Sequence, residues 1–339
     1  MDGLTLRQLR LRLRLSQMEL ADTLNDTLGR SYDKPKVSRW ENTHEPVPDD
    51  VAAALERLAA AMPRSARTVV FANQKGGVGK TTSALNVAYG LSRLGQRVLL
   101  VDMDPQATAT TALLAEAAVL AFRDRRTVAQ VILGEKSLDE VILQAPGGIG
   151  GRAIPFDLAA SHIDLAETDN RREPGFDAAL REALESCKER YDWVVIDAPP
   201  NLGMLTWMAL AAADECIVPV RTEPYDTMGV GLILGTVNKV QRRLNPSLRL
   251  GGILPTQYSG RKLVDREVLD HLLATLSGKA PVLAPVPDSA VFGHAARNGQ
   301  IALEASPGAP GTAVYARLAQ ALARGEPLPA AAPLPVDAQ

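Results

Sequence analysis

The segment that most limits how this chain can fold is TVVFANQKGGVGKTT, residues 68–82. A short apolar run (68–72) leads into a glycine-rich loop, and the loop leads into a helical pattern from Thr81. Strand, loop and helix in that order make a unit whose loop can close around an anion. Glycines let the backbone wrap closely around phosphates. The helix that follows presents free N–H groups and a positive dipole end. Lys80 then brings a charge to the β- and γ-phosphates of a nucleotide, and the Thr81 hydroxyl is placed for Mg²⁺. The strict pattern G-x-x-x-x-G-K-[ST] requires glycine at position 74, where this chain has Gln74 followed by a second lysine, Lys75. The bland alternative is a glycine turn with solvated lysines. The strand before, the helix after and GKTT in phase with both weigh against it.

The rest of residues 66–324 repeats the strand-and-helix alternation. Apolar runs at 98–102 (VLLVD), 193–197 (WVVID), 215–219 (ECIVP) and 250–254 (LGGIL) read as buried strands, and 81–94 and 176–190 read as helices. Continuous apolar strands separated by helices predict a mostly parallel sheet covered on both faces, a doubly wound α/β fold. Ligands of such folds bind at the carboxyl ends of the strands. Asp102 and Asp104 end one run and Asp197 ends another, as expected for carboxylates near a phosphate-bound Mg²⁺. Taken singly, an Asp in such a place is more often a turn or cap residue.

The 339 residues exceed one small domain, so a large domain with an added piece is expected. Residues 1–62 read as a small all-helical domain, and 325–339 (GEPLPAAAPLPVDAQ) as a disordered Pro/Ala tail with nothing to bury. A net charge of −2 excludes a globally basic coat, so any nucleic-acid contact must come from local patches. Cys187 and Cys216 lack metal-type spacing, and two thiols in so long a chain point to a reducing compartment. No apolar run reaches the roughly 18 residues of a membrane span. The arginine-rich start has no apolar stretch of a secretory signal. A cytoplasmic protein without a membrane partner is expected.

Taken together, QKGGVGKTT (74–82), VLLVDMDPQATAT (98–110), YDWVVIDAPPNLGMLT (191–206), CIVPVRTEPYDTMGV (216–230) and GGILPTQYSGR (251–261) resemble the ParA family of deviant Walker A ATPases. The resemblance implies a homodimer assembled on ATP and Mg²⁺. Lys75, Gly76, Gly77, Val78, Gly79, Lys80, Thr81 and Thr82 would hold the phosphates, with Pro287 against adenine. Lys75 is similar to the family's signature lysine, which reaches the partner's phosphates. Asp104 would orient the attacking water, and Asp197, with Thr81, would hold Mg²⁺, through water in the case of Asp197. Slow hydrolysis, stimulated by a ParB-like centromere-binding partner, would reset the cycle. Arg261, Lys262 and Arg266 resemble a segment that contacts non-specific DNA; a solvated helix face is the alternative. Downstream, Asp288 and Val291 stand where many members are basic, so part of that surface is expected to be missing, moved or supplied by Arg297.

In the N-terminal piece, Ser16 and Glu19 form a capping-box pattern, and Leu6, Leu9 and Leu13 share one helical face. Asp33 and Pro35 read as the start of a third helix, KPKVSRWEN, and DDVAAALERLAAAM as a fourth, amphipathic one. The stretch resembles a Cro/CI-type helix-turn-helix, although NDTLGRSYD is longer than the usual turn. That resemblance implies operator DNA as a partner, with Lys34, Lys36 and Arg39 near bases or phosphates and Gln17 on the backbone. Eight Lys/Arg against four acids between Arg7 and Arg39 concentrate positive charge there. A dimerisation module without DNA contacts is the alternative.

The expected function is therefore a plasmid or chromosome partition ATPase, nucleoid-associated, that also represses its own operon. The alternatives are an ATP-controlled transcriptional regulator and a cargo- or division-site-positioning ATPase. An iron-sulfur reductase relative would need cluster cysteines that this chain does not place in matching motifs.

Overall fold

The structure is a computed structural model that describes residues 1–13, 15–61, 65–145, 153–171, 173–224, 226 and 229–331. The chain divides into two compact units, Met1–Arg64 and Ser65–Gln339.

The first unit holds helices α1 (Gly3–Arg12), α2 (Gln17–Leu28), α3 (Lys34–Glu41) and α4 (Asp49–Ala61). The capping box at Ser16 is complete: its Oγ accepts from Glu19 N at 3.2 Å, and its N–H donates to Glu19 Oε2 at 2.7 Å. Asp33 caps α3 by accepting from Lys36 N at 2.8 Å. Much of the long turn anticipated between these helices is the last turn of α2, which Gly29 closes in the left-handed conformation (φ 62). Asn25 then fixes the remainder, accepting from Tyr32 N and donating to Tyr32 O. Leu6, Leu20, Leu24, Val37, Trp40 and Leu55 fill the unit's core.

The second unit is built on a six-stranded parallel sheet in the order β3-β2-β4-β1-β5-β6. Its strands are β1 (Arg67–Phe71), β2 (Val98–Asp102), β3 (Asp157–Ala159), β4 (Trp193–Asp197), β5 (Glu215–Arg221) and β6 (Arg249–Thr256). The connection from β1 leaves toward β2 and that from β4 toward β5, so the chain reverses between β1 and β4. A ligand crevice is expected at that point. Alternate residues feed opposite faces: Val70, Leu99, Val101, Val194 and Ile196 lie in one core, and Val69, Phe71, Leu100 and Val195 in the other.

The helices between β1 and β4 are α5 (Lys80–Arg93), α6 (Thr108–Leu113), α7 (Ala115–Arg123), α8 (Val128–Ile132), α9 (Leu138–Val141) and α10 (Ala179–Glu185). Those that follow are α11 (Met204–Ala212), α12 (Val230–Arg243), α13 (Leu263–Leu276), α14 (Ala290–Arg297), α15 (Ala302–Ala305) and α16 (Pro310–Arg324). The helix expected over 176–190 is broken: 3-10 turns Phe176–Ala178 and Lys188–Arg190 flank the short α10. Gly175 at φ 83 redirects the chain before it, and after it Arg190 pairs with Asp139 as the chain enters β4.

Helix α5, which carries the glycine loop at its start, is held firmly from behind. Ser83 shares a 2.9 Å hydroxyl contact with Tyr315 of α16, and Asn86 accepts from Leu303 N at 2.8 Å. Gly90 lies so close to α16 that an added Cβ would stand 2.7 Å from the Cβ of Ala319. Gly90→Val is therefore expected to lower unfolding free energy by about 2 kcal/mol through overpacking, read from the midpoint of urea denaturation.

The tail corrects an expectation. From Gly325 to Ala331 it is ordered, because it has backbone bonds to make where it has little to bury. Residues 282–287 run beside β6, with parallel bridges Ile253–Val282 and Tyr258–Pro287. Their outer edge takes the tail: Ala284 N donates to Pro329 O at 2.7 Å, Ala331 N to Val282 O at 2.9 Å, and Leu283 bridges Ala330. Pairing satisfies backbone groups that an open edge would leave bare. Residues 332–339 lie outside the described residues.

Candidate nucleotide site

Strand register assembles the site. Phe71 and Asp102 both pair with Asp197, so the loop after β1 and the ends of β2 and β4 meet at one rim of the sheet. Over this rim the loop 73–79 is fixed from outside through its carbonyls. Lys80 Nζ donates to Lys75 O at 2.8 Å, Gln257 Nε2 to Gly77 O at 2.9 Å and the Thr256 hydroxyl to Val78 O at 2.9 Å. Asn73 is buried and ties the loop's entry, accepting from Lys75 N and donating to Pro219 O. Among the described residues, the N–H groups of Gly76, Gly77, Val78 and Gly79 have no hydrogen-bond partner. Four consecutive unpaired N–H groups ahead of a helix N-terminus make an anion nest. Gly77 and Gly79 hold φ 71 and 89, and a Cβ at Gly76 or Gly77 would meet nothing within 4 Å, so the cradle is open on that side.

The acidic side is equally specific. Asp197 is fully buried, and both of its carboxylate oxygens lack a hydrogen-bond partner. Burial pushes its pKa well above the usual carboxylate range, and the neighbouring Asp102 adds to this. The Thr81 hydroxyl, short of hydrogen-bond geometry, and Lys80 pull it back. Asp102 is pushed up to about 6 by burial, although Thr110 donates to it from both N (2.9 Å) and Oγ1 (2.7 Å) and Asp104 N donates at 3.1 Å. Asp104 is raised by burial, opposed by Gln106 N (3.0 Å) and then by Lys80. Burial lowers Lys80, while Asp197 and Asp104 hold it up. Buried carboxylates this reluctant to ionise, one of them unpartnered, fit a divalent cation, and the nest with Lys80 beside them fits a phosphate chain.

Lys75 and Asp226 were separated by sequence distance and are brought together here. Lys75 Nζ pairs with Asp226, which is 2% exposed and also accepts from Arg221 Nε at 2.9 Å. Asp226, Thr256 and Gln257 fall within the motifs 216–230 and 251–261, but sequence reasoning assigned none of them a role at the site. Pro287 lies beside Tyr258, whose N–H donates to Val286 O and whose carbonyl accepts from Asp288 N.

The basic segment lies at the entry to α13, with Arg261 and Lys262 before the helix and Arg266 in its first turn. Arg261 and Lys262 are exposed, and Arg266 keeps its Nε buried without a partner. Arg297 is exposed at the end of α14. In the first unit, three of the four side chains expected at DNA are occupied internally. Gln17 donates to Glu41 at 2.7 Å, and Lys36 and Arg39 both pair with Glu45. Lys34 is exposed, with no ion pair among the described residues.

These features define a P-loop nucleotide-binding protein in which the first loop glycine is replaced and a second lysine is added. Residues 66–250 match the family described as AAA domain. The chromosome-partitioning ATPase Soj of Thermus thermophilus is 41% identical over 75% of this chain and 94% of its own length. The sporulation initiation inhibitor protein Soj of Bacillus subtilis is 33% identical over 76% and 98%. Among solved structures, cobyrinic acid a,c-diamide synthase of Mycobacterium smegmatis with bound ADP and magnesium is 34% identical, with a TM-score of 0.64 over 79% of this chain and 100% of that one. The chain belongs to the AAA-domain family of P-loop ATPases that includes the Soj partition proteins. Among the described residues no helix is long and apolar enough to cross a membrane.

Proposed function

We propose that this protein is a DNA-partition ATPase that dimerises on ATP, holds non-specific DNA in that state and is reset by hydrolysis. The unpartnered Asp197 carboxylate beneath an open N–H nest carries the nucleotide part of this reading. Similarity to Soj proteins over nearly their whole length supports the partition part. Mg²⁺, when bound, neutralises phosphate charge and orients the chain of oxygens. Thr81 would hold it directly and Asp197 through water, while Gly76 to Thr82 and Lys80 grip the phosphates and Pro287 borders the base. Asp104 orients the attacking water, and Lys75 reaches the phosphates of the partner protomer. A ParB-like partner accelerates the reset.

Arg261, Lys262 and Arg266 form the DNA surface of this reading, with Arg297 nearby. The N-terminal unit is read as an operator-binding helix-turn-helix that represses the protein's own operon. There, Lys36 and Arg39 must trade Glu45 for phosphate, so the surface carries less free charge than its residue count suggests.

The test is binding of the full chain to random-sequence duplex DNA with ATP, ADP or no nucleotide across a salt series. The expected result is binding with ATP alone that weakens steeply as salt rises. Equal binding in all three states would assign the DNA affinity to the N-terminal unit. No binding in any state would overturn the partition reading.

A further inference from the structure

The residues that end β6 are not spent on sheet pairing alone. Thr256 is 3% exposed and turns its hydroxyl to Val78 O, while its Cγ2 lies 3.6 Å from the Cβ position of Gly79. Gln257 stands at φ 55, a left-handed conformation that costs a non-glycine residue about 1 kcal/mol. Glycine would adopt it freely, and asparagine more readily than glutamine. From that conformation the Gln257 amide, otherwise exposed, reaches Gly77 O at 2.9 Å. Strain is therefore held at a position whose side chain makes one described contact, and that contact is to the glycine loop.

In a trans peptide the C=O of one residue and the N–H of the next point in opposite directions. A donor that holds Gly77 O therefore aims Val78 N–H away from β6, and one that holds Val78 O aims Gly79 N–H likewise. These are two of the four unpaired donors of the nest. One residue further on, Tyr258 pairs through its backbone with Val286 and Asp288, on either side of Pro287. A single stretch, 256–258, thus fastens the phosphate loop and the 286–288 segment to the same strand end.

We infer that Thr256 and Gln257 are positioning residues of the phosphate cradle, pre-aiming the Val78 and Gly79 N–H groups at the nucleotide's phosphates. A preset nest binds without first ordering its peptide planes, which raises affinity without any added contact. Neither residue touches the reacting atoms. The inference rests on the reading of the loop as an ATP site, and the experiment separates the two.

Mg-ATP binding to the full chain is measured by calorimetry, and thermal unfolding is followed without nucleotide. Thr256→Val keeps the shape and removes the donor; affinity is expected to fall about 10-fold, and Thr256→Ser to recover it to within about twofold. Gln257→Gly removes donor and strain together, so the apo-protein is expected to melt at the same or a higher temperature while affinity falls about fivefold. A purely structural role would move melting and affinity in the same direction. Variants that bind Mg-ATP as tightly as the native chain would overturn the inference and leave the ATP reading intact. A native chain that does not bind Mg-ATP overturns both. If Thr256→Val does not fold, the opposite movements expected of Gln257→Gly still decide.

Discussion

Asp104→Ala is expected to leave Mg-ATP affinity within about threefold of the native value while lowering turnover by about 100-fold or more. The expectation comes from where Asp104 stands. It follows β2 at the rim beside Asp197, 8% exposed, and its carboxylate is oriented by Gln106 N at 3.0 Å. Ser161 braces the same turn by donating to Asp104 O at 2.6 Å, and Thr110 ties Asp102 to Ser161. The carboxylate is thus fixed without being consumed, since one oxygen has no described hydrogen bond. Burial raises its pKa, and in the role proposed for it the carboxylate would orient the water. Phosphoryl transfer needs little from the protein beyond positioning and charge neutralisation. Losing the water's orientation therefore costs rate, while the nest, Lys80 and Asp197 keep their hold on the ground state. Lys80→Ala is the contrasting variant, expected to lose binding itself. The measurements are calorimetric affinity and phosphate release in a single turnover. An Asp104→Ala protein that hydrolyses ATP at the native rate would remove Asp104 from the mechanism.

The parts of this site that were legible in the sequence are those coded locally. Strands β2 and β4 occupy the residues that their apolar runs indicated, because a five-residue run closed by Asp has few other ways to be buried. The caps at Ser16 and Asp33 were legible for the same reason: donor and acceptor lie three residues apart. Strand β3 was not, because its three residues are too few for a period, and it is ordered by pairing with β2. The tail was read from composition, which reports what a segment can bury and says nothing of the backbone bonds an open edge offers it. Asp226, Thr256 and Gln257 reach the glycine loop across 151 to 180 residues, and only the order of the strands brings them there.

Lys75→Ala is expected to abolish the ATP-driven dimer, raising its dissociation constant at least about 30-fold, while each protomer still binds Mg-ATP. Lys75 contributes nothing to the fixed frame of the cradle except its backbone: its N–H goes to Asn73 and its carbonyl accepts from Lys80. Its side chain is turned to Asp226, which is shared with Arg221. In a protomer by itself, then, Lys75 is held by a carboxylate, with Arg221 left to pair that carboxylate when the lysine departs. Moving Lys75 to a partner's phosphates would exchange one charge-assisted bond for another and leave no buried charge unpaired. A second variant is expected to act in the opposite direction. Asp226→Asn removes the competing charge but keeps the side chain's volume, so ATP-driven dimers should form at lower protein concentration than in the native chain. Sedimentation velocity with ATP and with ADP reads both. An intact ATP dimer in Lys75→Ala would refute the role given to that lysine. A weaker dimer in Asp226→Asn would mean that the Lys75–Asp226 pair presents the lysine to the partner and does not hold it back.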